Sequence, residues 1–372
     1  MIKIQEIDKN KQIDAFIRFA WQVYEKYPAW VPPLVEQTKA FLLGKSLFFQ
    51  HCEHKLFVAL KDDKIVATAA AFYDKDLTSH YKRKIGLIGY FEALPKQDKA
   101  VKELFKHAEK FLVDKGAKII WAPFNGNIIF GLALSADAYD EYPLFLMPYN
   151  PPYYHSYFWK NGYKKLKETV AFTTDLMDDK VRRKISYVKR KARKSKVRIR
   201  PIDLKKFKEE IFRFGSIYGE TFKKHWGYVP QSNEELYEML EPFKMALEKD
   251  FVLFAEYKGK TIGFVLCAPD YNFILKNLDG NLNVLKLFAF LRLKKRIRKA
   301  RLIAIGVSGG YRGQNIAPLL IANAYDAMIK KGYTTVEYSW VLAENIPSQK
   351  AIRKFHGKVY KHYAVYQKKL TI

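Results

Sequence analysis

Cysteine is almost missing: Cys52 and Cys267 are the only two in 372 residues. A disulfide framework is therefore unavailable, and a reducing, cytoplasmic setting is expected. The opening stretch from Met1 to Asp8 lacks the apolar segment of a secretory leader, so none is expected. No run of 18 uninterrupted apolar residues occurs, so no transmembrane helix is expected either. Acidic residues are scarce beside basic ones, 38 against 66, for a net charge of +28. Disorder is excluded by what is plentiful: 49% hydrophobic residues, with 25 Tyr and 27 Phe. The length suits two domains.

The charge is uneven. Residues 1–175 hold 25 basic and 20 acidic side chains, net +5, whereas residues 176–372 hold 41 and 18, net +23. Lys180 to Arg200 has 12 basic residues and no acid, and Leu282 to Arg301 has 8 and no acid. Such local runs point to a polyanion, either RNA or an anionic membrane surface, more than to general solubility. Val284 to Lys294 is amphipathic and cationic, as in an interfacial helix. A solvated basic helix is the plainer reading of either run.

The chain repeats itself faintly. Phe16, Phe19 and Tyr24 lead into Trp30-Val31-Pro32, and Phe212, Tyr218 and Phe222 lead into Tyr228-Val229-Pro230, an offset of 198. A strand, polar turn and strand from Phe57 recurs from Phe254, an offset of 197. Asn150 and Gly162 recur as Asn345 and Gly357, an offset of 195 with the same spacing of 12. Three matches in order predict two copies of one fold: residues 1–175, a basic helix over 176–196, and residues 197–372. In the helix, Val181, Ile185, Val188 and Ala192 form a narrow apolar stripe. The strand Glu168 to Thr174 precedes it and ends the first copy.

The clearest chemical signal lies in the second copy. Leu302 to Val307 reads as a buried strand, followed by Ser308-Gly-Gly-Tyr311-Arg312-Gly313-Gln314-Asn315-Ile316-Ala317 and then Pro318 in a helix's first turn. Strand, glycine loop and helix N-terminus together make an anion site. Gly313 lets backbone approach a phosphate, and Arg312 adds charge.

This segment resembles the acyl-CoA pyrophosphate loop of the GNAT acyltransferases, Arg/Gln-x-x-Gly-x-Gly/Ala. Arg312 matches the first position and Ala317 the last, while Asn315 replaces the central glycine and tolerates a left-handed φ. The resemblance extends over about residues 197–370, and the whole layout resembles bacterial tandem-GNAT proteins of unassigned substrate. It implies an α/β fold, an α+β mixed sheet in each of two tandem GNAT-like domains. Val359 to Lys368 is then the closing strand of the second. The first copy has Lys96 to Val101 in place of the loop, without glycine and with Asp98, and reads as degenerate for CoA.

The resemblance implies direct transfer of an acyl group from acetyl-CoA or another acyl-CoA to an amine, without a metal. The loop residues Arg312, Gly313, Gln314, Asn315, Ile316 and Ala317 would hold the pyrophosphate. Backbone N–H groups near Ile305 and Val307 would meet the thioester oxygen. Asn345 would contact the pantetheine arm or cap a helix. A base must take the ammonium proton. Glu337, in an otherwise apolar or hydroxylic strand, is the first candidate, expected partly buried with a raised pKa; Glu220 and His225 follow. Tyr338, Tyr363 and Tyr366 are possible acids. Arg298, Lys299 and Arg301 lie close in sequence to the loop and would favour CoA capture. His51-Cys52-Glu53-His54 has no second ligand cluster. Two alternatives stand: a tRNA-dependent aminoacyltransferase, and a non-enzymatic protein that binds RNA or CoA.

Overall fold

Two hairpins show why the repeat folds as it does. β2 (Cys52–Lys61) and β3 (Lys64–Asp74) pair antiparallel, and the two linking residues, Asp62 and Asp63, sit at φ 52° and 57°. β9 (Val252–Tyr257) and β10 (Lys260–Pro269) pair the same way around Lys258 and Gly259, at φ 49° and 76°. Positive φ at both linking residues matches the right-handed twist of the flanking strands. The computed structural model describes residues 1–281, 290 and 292–370.

The chain divides into two units. Unit 1 comprises Met1–Glu168, Ile274–Leu287 and His362–Ile372; unit 2 comprises Thr169–Phe273 and Phe288–Lys361. In unit 1, β1 (Ile2–Glu6) pairs with β2, and β3 with β4 (Ile85–Ala93), all antiparallel. β4 runs parallel to β5 (Ile119–Ala122) over Ile85–Leu87. A short strand, β6 (Leu134–Ser135), lies off this path. Helix Asp98–Asp114 turns Val101, Leu104, Phe105, Ala108 and Leu112 into the core beside Phe91 and Ala69. Each such large side chain contributes about 1.5–3 kcal/mol when fully buried.

In unit 2, β8 (Arg198–Pro201) pairs with β9, and β10 with β11 (Lys299–Val307), antiparallel. β11 runs parallel to β12 (Thr335–Leu342). Helix Asp179–Lys191 starts on an Asp178 cap and buries Val181, Ile185 and Val188. It packs on helix Ile316–Lys330, with Lys189 paired to Asp326.

The closing strands differ from the expectation. The last strand of unit 2 is the Thr169–Asp175 part of β7 (Lys164–Asp175), antiparallel to β12 from Thr335↔Asp175 to Leu342↔Thr169. The strand expected there, Val359 to Lys368, is β13 (Lys358–Lys369), and from His362 onward it belongs to unit 1. It pairs with β5 through Tyr366↔Ala122 and with β6 through Tyr363↔Ser135. The units thus divide inside β7, between Glu168 and Thr169, not at 175. Both strands are buried over four consecutive residues, 169–172 and 363–366, so pattern alone cannot say which neighbour each one meets.

Residues 274–281 also go to unit 1. Trp21 Nε1 donates to Asp279 at 2.7 Å, and Val35 N–H donates to the Gly280 carbonyl at 2.9 Å. Most of the second basic run's amphipathic stretch, residues 282–289 and 291, lies outside the described residues.

Candidate active site

The site is built on the edge of β11. Its pairing with β12 ends at Leu302↔Tyr338, yet β11 continues to Val307, held on its other side by β10. Ser308 N–H donates to Ile262 O at 2.9 Å, on the β10 side. Backbone direction alternates along a strand, so the N–H groups of Val307 and Ile305 face the open edge.

The glycine loop follows. Gly309–Tyr311 makes a single tight turn, Gly313 takes φ +82° with nothing within 4 Å of where a Cβ would stand, and Asn315 takes φ 61°. Asn315 is the left-handed residue before helix Ile316–Lys330, and its side chain caps nothing. Among the described residues, the N–H groups of Gly313, Asn315, Ile316 and Ala317 have no hydrogen-bond acceptor. Unspent donors at a helix N-terminus suit a phosphate. Arg312 is exposed and donates from Nε to the Val307 carbonyl at 3.3 Å. Gln314 donates to Gly310 O at 3.3 Å, which braces the turn.

Two of the three base candidates lie in the region where this strand ends or close to Trp340 of β12. Glu220, on helix Phe207–Phe222, accepts the Gly309 N–H at 3.1 Å and the Ser308 hydroxyl, and is exposed. His225 packs against Trp340, ring centroids 5.4 Å apart, and its Nδ1 lies 2.9 Å from the Trp226 carbonyl. Nδ1–H donates there, which leaves Nε2 with its lone pair. Burial lowers the His225 pKa, against the Trp226 carbonyl and Glu344, which favour the cation.

Glu337 has different surroundings. It is 1% exposed, with one oxygen on the Ser339 hydroxyl and the other on the Tyr360 hydroxyl. Arg301, its register partner and 4% exposed, donates to Ser339 Oγ at 2.8 Å and to Ser339 O at 3.0 Å. Arg301 therefore serves this buried network and not the loop. Lys299 begins β11 and Arg298 precedes it, roughly 26 Å of extended strand from Val307. The expectation that these three cations assist at the loop is corrected by the length of the strand between them.

Asn345 accepts the Ser348 N–H at 3.2 Å and caps helix Ile346–Arg353. Tyr338 is half-buried near that helix, with a side-chain hydrogen bond to Ser348, and burial raises its pKa. Tyr363 and Tyr366 lie in unit 1, where Tyr366 meets His155 Nδ1 at 2.6 Å. Trp340, Ser308 and Glu344 were not picked out in the sequence as site residues; only the return of the chain past Leu342 brings Glu344 near His225.

Unit 1 has the same strand pair without the opening. Phe124 N–H donates to Ile88 O at 2.8 Å, and Asn125 Oδ1 accepts the Tyr90 N–H at 2.8 Å. The edge of β4 is thus closed by the chain itself. A Cβ on Gly89 would stand 2.4 Å from Phe124 O. Where the loop would be, Tyr157 OH accepts the Gln97 N–H at 3.0 Å. His51 pairs with Asp74 at 2.8 Å and His54 Nε2 lies 2.8 Å from Leu42 O. Among the described residues no group of three or more His, Cys, Asp or Glu could hold a metal, and no helix is long and apolar enough to cross a membrane.

An open strand edge that runs into a cradle of free N–H groups suits a nucleotide thioester. Residues 215–357 match the acetyltransferase (GNAT) family. It is 28% identical to Protein YghO of Escherichia coli (strain K12), over 98% of this chain and 94% of that one. It is 27% identical to the bacterial ceramide synthase of Caulobacter vibrioides, over 96% of this chain and 95% of that one. A tandem GNAT protein from the clavulanic acid biosynthesis pathway shares the fold at TM-score 0.60 and 11% identity, covering 99% of this chain and 98% of its own. The chemistry of the class is acyl transfer from a CoA thioester, and the free donors of the loop and of β11 fit such a donor.

Proposed function

We propose that this protein transfers an acyl group from acyl-CoA to the primary amine of a lipid amino alcohol. The observation that carries the transfer is the open β11 edge, joined to the loop where Glu220 holds Ser308 and Gly309. The acceptor class is supported by the relative named as a bacterial ceramide synthase, which aligns over nearly the full length of both chains. Ceramide is the N-acyl derivative of such an amine.

In this reading the ammonium gives one proton to Glu220, and the free amine attacks the thioester carbonyl. The N–H of Val307 or Ile305 stabilises the oxygen as it gains charge. The C–S bond breaks as the C–N bond is completed, and the second nitrogen proton passes to the leaving thiolate. The products are amide, CoA thiol and one proton, which Glu220 returns to water. His225, with its lowered pKa, is a second acceptor for the amine proton.

The test is thiol release by the purified protein with acetyl-CoA and palmitoyl-CoA, with and without sphinganine. Amine-dependent release, with the amide detected by mass, is expected. The pair of donors reads the acyl length. Absence of acyl-CoA binding overturns the reading, and amide formed only from a charged tRNA replaces it with an aminoacyl transfer.

A further inference from the structure

We infer that the outward face of helix Asp179–Lys191, with the turn that follows it, docks on an anionic lipid bilayer. Between Lys180 and Arg200 there is no acidic residue. Nine cations between Lys180 and Arg198 are exposed, and the one ion pair among the described residues of this stretch that fixes the helix is Lys189 with Asp326. Val181, Ile185 and Val188 are spent on the unit 2 core, so the orientation of the charged face is set by packing.

That face is not purely charged. Arg183, Tyr187, Arg190 and Lys194 follow one another at helical spacing. Tyr187 is 48% exposed with Lys184 Nζ 5.3 Å from its ring centroid, and Met177 just before the helix is 36% exposed. An uncovered tyrosine amid cations matches a headgroup layer, where the ring sits at the interface and the cations meet lipid phosphates. The 13-residue helix presents this face over roughly 20 Å. The inference rests on this helix alone and does not depend on which amine is the acceptor.

The experiment is co-sedimentation of the full chain with phosphatidylcholine vesicles, pure or containing about one-third phosphatidylglycerol. Partition onto the anionic vesicles only, weakening with salt, is expected. Each neutralised cation near such a surface costs about fivefold in partition. R183Q/R190Q/K194Q is therefore expected to lose about 100-fold, with unchanged circular dichroism and acyl-CoA binding. Tyr187→Ala is expected to lower the salt-resistant part. The inference is overturned by absence of partition, or by a triple variant that partitions like the parent. It is also overturned if the chain binds tRNA and ignores the vesicles, which assigns the face to nucleic acid. Loss of vesicle binding with acyl transfer intact, and the reverse, separate this inference from the proposed reaction.

Discussion

Glu220 Oε1 accepts the backbone N–H of Gly309 at 3.1 Å and also takes the hydroxyl of Ser308. One carboxylate thus joins helix Phe207–Phe222 to the point where β11 becomes the glycine loop. It lies beside the donors assigned to the thioester oxygen, which is where a base for the amine is needed. Glu220→Gln keeps the shape and one acceptor but cannot hold a proton. A fall in kcat of roughly 10²–10⁴ is expected, with the acyl-CoA Kd within a few-fold of the parent. Steady-state rates and calorimetric titration check the two halves of this statement.

Gly313 stands at φ +82° in the loop. Gly313→Ala has space but not conformation, and costs about 1–2 kcal/mol in the left-handed region. Gly313→Asp adds a negative charge against the pyrophosphate. Calorimetry with acetyl-CoA is expected to show a modest loss for alanine and no measurable binding for aspartate. Equal binding by all three proteins removes the loop from the donor site.

Glu337 lies in a network with Ser339, Tyr360 and the buried Arg301. Glu337→Ala leaves those polar groups without their acceptor and is expected to cost about 3 kcal/mol in urea unfolding. Glu337→Gln retains acceptor capacity and should recover most of that stability. If the glutamine variant is fully stable yet inactive, Glu337 replaces Glu220 as the base.

His54 gives a pH dependence of known sign. Burial holds its imidazole down at about 4, helped by the neighbouring Lys9 ammonium and opposed by the Leu42 carbonyl. The unfolded chain takes the proton near 6.5, before the folded one does, so stability is full above that pH. It falls as pH drops from 6.5 toward 4, by up to about 1.4 kcal/mol per unit. Urea unfolding at several pH values is expected to show this slope, and His54→Gln should flatten it.

The exchanged strands predict a selective lesion. Removal of residues 362–372 takes from unit 1 the partner of β5, the Tyr366–His155 hydrogen bond and the Lys368–Glu109 ion pair. Hydrogen exchange across Ile119–Ala122 is expected to accelerate strongly. The β9–β10 hairpin of unit 2 is expected to keep its protection.

Much of the fold was legible because it is local. The two hairpins, the apolar stripe at Val181, Ile185 and Val188, and the loop before Ile316 are all set by residues within a few positions of one another. The replacement of glycine by Asn315 left the loop its left-handed residue, as asparagine's tolerance of that region anticipates. The setting of a side chain was less legible. Arg301 lies on the same strand as Ile305 and Val307, but its side chain enters a buried network with Ser339 and Glu337. Tyr363 and Tyr366 lie within the second copy in sequence yet fold into unit 1.

The sequence by itself determined the two copies, the glycine loop and the cationic helix, because hydrophobic period, turn residues and charge are properties of short segments. Only the tertiary structure decided which strand goes to each unit and which copy keeps an open edge. Those outcomes rest on hydrogen bonds between distant residues, such as Phe124 to Ile88 and Tyr366 opposite Ala122, whose pairing no local pattern encodes.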